Sequence, residues 1–173
     1  VLDLKSKSQE LKKYWDVFDH YNKPKINISD KEAIEETDRL LKKAYEYRMV
    51  ADVPVGIFLS GGYDSSSVAA LLQTGRTEKL KTFTIGFHEN EFNEAPEAKK
   101  IASYLGTDHT EWYLTANEAA GVLHHLPEIY DEPFADNSTV PTVLVSKLAR
   151  QQVTVALSAD GGDEIFGGYN KFN

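Results

Sequence analysis

The stretch Val55-Gly56-Ile57-Phe58-Leu59-Ser60-Gly61-Gly62-Tyr63-Asp64-Ser65-Ser66 constrains this chain more than any other. Its short apolar run reads as a strand buried on both faces. Two glycines then allow a tight loop, and the apolar stretch Ser66–Gln73 reads as the body of a helix that opens with Asp64-Ser65-Ser66. A helix that starts just beyond the carboxyl end of a strand offers unpaired N–H groups and partial positive charge, so this unit is an anion cradle. Ser60, Ser65 and Ser66 add hydroxyl donors. No Gly-Lys-Ser/Thr follows, which excludes the lysine-bearing loop of phosphoryl-transfer NTPases. Asp64 would repel a bound phosphate unless a hard cation bridged the two, and Mg²⁺ shares its shell with phosphate oxygens in this way. The plainer alternative is a Gly61-Gly62 turn with Asp64 as a helix cap.

The flanking sequence repeats the strand–helix alternation. Ser29 and Glu32 form the pattern of a capping box, and the apolar spacing through Ile34, Leu40, Leu41, Ala44 and Tyr45 predicts a helix to about Met49. Lys81–Phe87 is β-branched and aromatic, hence a strand; Glu94–Leu105 is a helix closed by Gly106. Thr110–Leu114 reads as a strand, Thr115–Leu123 as a helix capped by Thr115 with Glu118, Pro141–Gln152 as a helix, and Val153–Leu157 as another buried strand. Val1–Leu4 alternates as a short strand would. The whole implies an α/β fold, a doubly wound parallel sheet with flanking helices. In such sheets ligands bind outside the carboxyl ends of the strands, here the loops after Leu59, Phe87 and Leu157.

Composition narrows the function classes. A formal charge of −8 repels nucleic acid, and no apolar run is long enough to span a membrane. The chain has no cysteine, hence no disulfides, thiolate metal site or thiol nucleophile, and the simplest location is cytoplasmic. His20, His88, His109, His124 and His125 are given no metal role, with His124-His125 closing a helix; Trp15 and Trp112 are read as packing residues.

Four motifs in order carry a resemblance. Gly56 to Ser66 resembles the pyrophosphatase loop of the asparagine synthetase family of ATP-dependent, glutamine-hydrolysing amidotransferases. Thr84-Ile85-Gly86-Phe87 is similar to its second nucleotide-facing strand, Tyr130-Asp131-Glu132-Pro133 to its acidic turn, and Ser158-Ala159-Asp160-Gly161-Gly162-Asp163-Glu164-Ile165-Phe166-Gly167-Gly168-Tyr169 to its second signature. The resemblance implies a fold of the adenine nucleotide alpha-hydrolase, or PP-loop ATP pyrophosphatase, type. It implies that Leu59 and Ile85 hold adenine and that Ser60, Gly61, Gly62, Asp64, Ser65 and Ser66 hold pyrophosphate. Ser158 and Ala159 would contact ATP, Asp64 and Asp131 would share Mg²⁺, and Asp160 and Asp163 would be catalytic. Asp160 is one methylene shorter than the acidic residue of the best-known members, and Glu132–Asp136 departs from the threonine- and arginine-bearing stretch of some.

The reaction so implied is an AMP-forming ligation in asparagine biosynthesis. ATP activates aspartate as β-aspartyl-AMP, and ammonia from glutamine then gives asparagine. By this reading residues 1–28 are a lead-in from a missing glutaminase domain, and 29–173 are the ATP-binding part of a synthetase domain truncated at its C-terminus, itself inactive. Other readings are a family member that closes a β-lactam or amidates a sugar carboxylate, a tRNA-modifying adenylating enzyme, or a nucleotide-binding fragment without activity. A homodimer is left open.

Overall fold

The computed structural model describes residues 2–3, 8–9, 11, 13–88, 93–133 and 136–169. The chain divides into two compact units, Val1–Glu35 and Glu36–Asn173.

In the first unit β1 (Leu2–Asp3) pairs antiparallel with β2 (Ser8–Gln9). A short helix, α1 (Val17–Tyr21), is capped by Asp16, whose carboxylate accepts the Phe18 N–H at 3.0 Å. Trp15, expected to pack, is instead largely exposed and stacks on His20 with ring centroids 5.7 Å apart. The helix α2 (Asp30–Arg48) begins with the expected box: the Ser29 N–H donates to Glu32 at 2.8 Å, and the Glu32 N–H donates to the Ser29 hydroxyl at 3.4 Å. That pairing holds the Glu32 carboxyl below the usual carboxylate range.

The second unit is built on a four-stranded sheet: β3 (Val55–Phe58), β4 (Lys81–Phe87), β5 (Asp108–Leu114) and β6 (Val155–Leu157), in the order β5-β4-β3-β6, all neighbours parallel. Between the strands lie α3 (Tyr63–Gln73), α4 (Ala95–Leu105), α5 (Ala116–Leu123), α6 (Leu126–Ile129) and α7 (Thr139–Ala149), and α8 (Gly162–Phe166) follows β6.

Strand period decides the layers. Ile57 packs with Val68 and Leu72 of α3 and with Leu80, joined by Tyr45, Met49 and Leu157. Its neighbour Phe58 faces the other way, onto the cluster of Phe83, Leu148, Ala149 and Val153. Successive residues therefore bury opposite faces, which is why the strands carry no polar alternation. The α3 residues Ser65, Val68, Ala69 and Leu72 recur at helical spacing and form its buried stripe. In α4 the buried positions are all alanines, 95, 98 and 102, which bring that helix close to Leu59 and Ala69. Gly106 closes α4 at φ +73°, and Thr115 and Glu118 form the capping box of α5.

The chain runs β3, β4, β5 outward in one direction and returns to lay β6 on the other side of β3. The order therefore reverses between β3 and β6, and the loops leaving their carboxyl ends are Ser60–Gly62 and Ser158–Gly161. That crevice is where a doubly wound sheet binds its ligand. No helix among the described residues is long and apolar enough to cross a membrane.

Candidate active site

The first loop is bolted to the sheet before it turns. The Leu59 N–H donates to the Phe83 carbonyl at 2.9 Å, and the buried Thr84 hydroxyl donates to the Leu59 carbonyl. Gly61 then adopts φ +87°, and a Cβ there would lie 2.9 Å from the Ala98 nitrogen on α4. Only glycine meets both conditions without strain.

Ser65, 7% exposed, ties the loop together. Its hydroxyl oxygen accepts the Ser60 N–H at 3.1 Å, lies 3.0 Å from the Ser60 hydroxyl and 3.3 Å from the Gly62 carbonyl. The Ser60 hydroxyl in turn accepts the Gly62 N–H at 3.2 Å. With these side chains occupied, the opening of α3 presents mainly backbone N–H groups, which have no intrahelical partner at a helix start. Gly62, the N-cap, supplies no side-chain cap.

The second loop closes from β6. Gly161 takes φ +96°, and the Ser158 hydroxyl lies 2.6 Å from Asp160 Oδ2. Gly162 sits so close to Asp64 that a Cβ on it would be 2.5 Å from Asp64 Cγ. Gly167 closes α8 in the left-handed region, and Gly168 lies against the Asp163 carboxylate. The Tyr169 hydroxyl donates to Glu164 at 2.8 Å, which with the nearby carboxylates pushes its phenol up.

These loops flank an open cavity of about 1600 Å³. Of the residues expected at the site, the cavity wall includes Leu59, Ser60, Gly62, Asp64, Ser65 and Ile85, and from the second loop Ser158, Ala159, Asp160 and Asp163. It does not include Gly61, Ser66 or Asp131. Gly61 shapes the turn from behind, against α4. The Ser66 hydroxyl is buried without a hydrogen-bond partner. Asp131 is exposed in the bend after α6.

The wall also contains residues that motif reading passes over. Thr142 and Val145 of α7 face Phe58, Phe83 and Ala156, giving one side an apolar character suited to a flat base. Only the packing of α7 across β4 brings them there. Among the described residues Asp64, Glu94, Asp160, Asp163 and Glu164 supply five carboxylates, and no Lys, Arg or His joins them in the wall. From α2, Tyr45 packs beside Ala159, and burial followed by the Asp64 charge pushes its phenol up.

A parallel sheet with a strand–Ser-Gly-Gly–helix cradle at its switch point, faced by an acidic glycine loop, defines an ATP pyrophosphatase-type domain. The structure resembles the NH3-dependent NAD synthetase of Campylobacter jejuni (TM-score 0.52, 13% identity, 79% of this chain and 60% of that one). It also resembles the NMN synthetase of Francisella tularensis (TM-score 0.50, 17% identity, 85% and 61%). Both neighbours have the PP-loop ATP pyrophosphatase fold expected from the sequence.

The family itself follows from sequence: residues 36–173 match the asparagine synthase family model, and the chain belongs to that family. It is 42% identical to a putative glutamine-hydrolysing asparagine synthetase 2 of Methanocaldococcus jannaschii, over 98% of this chain and 32% of the relative. With asparagine synthetase 1 of Bacillus subtilis identity is 39% over 78% of this chain and 22% of the relative. With asparagine synthetase B of Escherichia coli it is 31% over 98% and 33%. The chain thus spans a third or less of the length of these relatives.

Proposed function

We propose that the whole protein is a cytoplasmic glutamine-hydrolysing asparagine synthetase, and that the cavity between the two loops is its ATP site. The observation that carries this is the meeting of Asp64 with Gly162, which joins the anion cradle to the acidic loop in one crevice. Family membership and the names of the relatives support aspartate, ATP and glutamine-derived ammonia as substrates.

The residues fit a triphosphate and a divalent ion. Close glycine backbone and the free N–H groups at the start of α3 suit phosphate oxygens. A wall whose described residues include five carboxylates and no cation is suited to a polyanion that brings a divalent ion with it. No group of three or more acidic or histidine side chains among the described residues is arranged to hold a metal alone, which suits an ion shared with phosphates. Mg²⁺ held by Asp64 with a second carboxylate, Asp131 or Asp163, would neutralise charge on the β- and γ-phosphates.

The chain's own groups account for the rest. The apolar wall beside Ile85 receives the base, and the cradle N–H groups hold the outer phosphates as pyrophosphate departs, stabilising charge where it develops. Attack by the aspartate side-chain carboxylate on the α-phosphorus forms the acyl-adenylate. Asp160, tied to Ser158, and Asp163 line the cavity from the second loop and α8. There a carboxylate can accept the proton released when ammonia attacks the acyl carbon.

The test is exchange of labelled pyrophosphate into ATP by the full-length protein. Exchange should require aspartate; exchange driven by a different carboxylate would reassign the acceptor, and none with any carboxylate would end the adenylation reading.

A further inference from the structure

We propose that Tyr63 is a ligand-contacting residue of the cradle, its phenol donating a hydrogen bond to the outer phosphates of the bound nucleotide. The inference rests on the reading of the cavity as an ATP site, and concerns a residue that the motif's chemistry leaves aside.

Tyr63 is the first residue of α3, between the N-cap Gly62 and Asp64, and it lines the cavity. Side chains of a helix lean toward its N-terminus, so a side chain in this first position projects past the helix end into the space the free N–H groups address. Tyr63 is 94% exposed, whereas Phe83 in the same wall is fully buried and therefore serves the core. The ring of Tyr63 contributes nothing to folding that would explain an aromatic there.

The donor inventory sharpens the point. Among the described residues the cavity wall has no basic side chain. The Ser60 and Ser65 hydroxyls bond each other and the loop backbone, and the Tyr169 hydroxyl is committed to Glu164. The Tyr63 hydroxyl makes no hydrogen bond to a described residue, while the Tyr63 backbone is fixed by the Ser67 hydroxyl, which donates to the Tyr63 carbonyl at 2.7 Å. A neutral O–H on a fixed base beside the cradle suits a site whose described charged side chains are all carboxylates. The same placement at the phosphate end of the cradle, away from the apolar wall of Phe58 and Val145, puts its partner on the pyrophosphate portion and not on the base.

The experiment is titration calorimetry on the full-length protein with three probes, each with Mg²⁺: inorganic pyrophosphate, ATP and AMP. Tyr63→Phe keeps the ring and deletes one neutral donor, so pyrophosphate and ATP should bind about fivefold more weakly while AMP is unchanged. An unchanged thermal melt shows the variant folded, as expected at so exposed a position. Equal pyrophosphate affinity in the two proteins overturns the inference and leaves the ATP reading intact. A loss confined to AMP also overturns it, by moving the contact to the nucleoside end. Failure of the unaltered protein to bind either pyrophosphate or ATP overturns the ATP reading and the inference together.

Discussion

The Asp64 carboxylate, at the start of α3, lies against Gly162, at the start of α8, so closely that a methyl group on Gly162 would meet Asp64 Cγ at 2.5 Å, Oδ2 at 2.6 Å and Oδ1 at 2.9 Å. Two segments almost a hundred residues apart in sequence thus share one position in space, and Gly162 is what leaves room for the carboxylate. The atoms met are the end of a side chain rather than backbone, so a larger residue would turn Asp64 aside and leave the fold standing.

Gly162→Ala separates these effects. Alanine in a helix gains about 0.5–1 kcal/mol over glycine, which offsets most of the crowding. The melting temperature should therefore move by less than about 4 °C. Asp64 should adopt another rotamer, and the Mg²⁺ concentration needed for half-maximal pyrophosphate exchange should rise. A crystal structure of the variant with Asp64 unmoved would refute the coupling.

Gly61→Ala should behave in the opposite way. Its φ of +87° disfavours any side chain by about 1–2 kcal/mol. Its Cβ would meet the backbone nitrogen of Ala98 at 2.9 Å and Glu97 Cβ at 3.1 Å, neither of which can swing clear. Overpacking of that kind adds about 1–3 kcal/mol, and urea denaturation should register a total loss of about 2–5 kcal/mol. A loss below 1 kcal/mol would mean that α4 gives way more easily than its alanine packing suggests.

Ser65→Ala tests whether the cradle is held by its own hydroxyls. The substitution removes the acceptor of the Ser60 N–H and the partner of the Ser60 hydroxyl. A loop polar group left without a partner costs about 1–3 kcal/mol. Stability should fall by that order, and pyrophosphate affinity with it, because the Gly62 N–H and Ser60 lose their fixed geometry. Ser65→Thr, which keeps the hydroxyl, should recover part of both if its methyl is accommodated; loss of binding without any loss of stability would place the Ser65 hydroxyl on the ligand instead.

The sequence made the β3–loop–α3 unit readable because each local signal agrees with the fold: a buried strand, a loop that needs glycine, then an apolar stripe at helical spacing. The helix caps at Ser29, Gly106 and Thr115 were equally plain. Three short helices were not. α8 lies between Gly161 and Gly167, both left-handed, and so many glycines read as turn; α1 and α6 are too short to show a period. α7 begins at Thr139, ahead of Pro141, because a proline in the first turn replaces an N–H that has no helical partner. The apolar half of the cavity was invisible for a different reason: Val145 and Thr142 have no motif, and only the crossing of α7 over β4 makes them a wall.

Protonation behaviour at His109 gives a prediction remote from the site. Its side chain is 9% exposed, its Nδ1 lies 2.9 Å from the Thr82 hydroxyl, and its buried Nε2 makes no hydrogen bond, with Glu111 Oε1 4.0 Å away. Burial holds the imidazole below its ordinary value; the Glu111 charge pulls it up, Lys99 opposes that, and the Thr82 contact raises it. The unfolded chain then takes up a proton near pH 6.5 that the folded chain refuses, so stability is full above that pH and falls as pH drops toward the lowered folded value. His109→Asn, which keeps a polar atom for Thr82, should flatten the curve of unfolding free energy between pH 7 and 5. Parallel curves for the two proteins would show that His109 does not control the slope.

The carboxylate that partners Asp64 can be found by the same logic of place. Motif order nominates Asp131, but that residue is exposed after α6 and lies outside the cavity wall. Asp163 lines the cavity and belongs to α8, whose first residue is the Gly162 that touches Asp64. An ion held between two carboxylates and a pair of phosphates requires both carboxylates on the same side of the ligand. Asp64→Asn and Asp163→Asn should therefore each raise the Mn²⁺ concentration for half-maximal binding by about tenfold or more, roughly the 1.4 kcal/mol that one charged ligand readily contributes. Asp131→Asn should change it by less than threefold. Mn²⁺ titration followed by electron paramagnetic resonance, with pyrophosphate present, reads this directly and without turnover. A large effect at Asp131 with none at Asp163 would restore the assignment that motif order alone suggests.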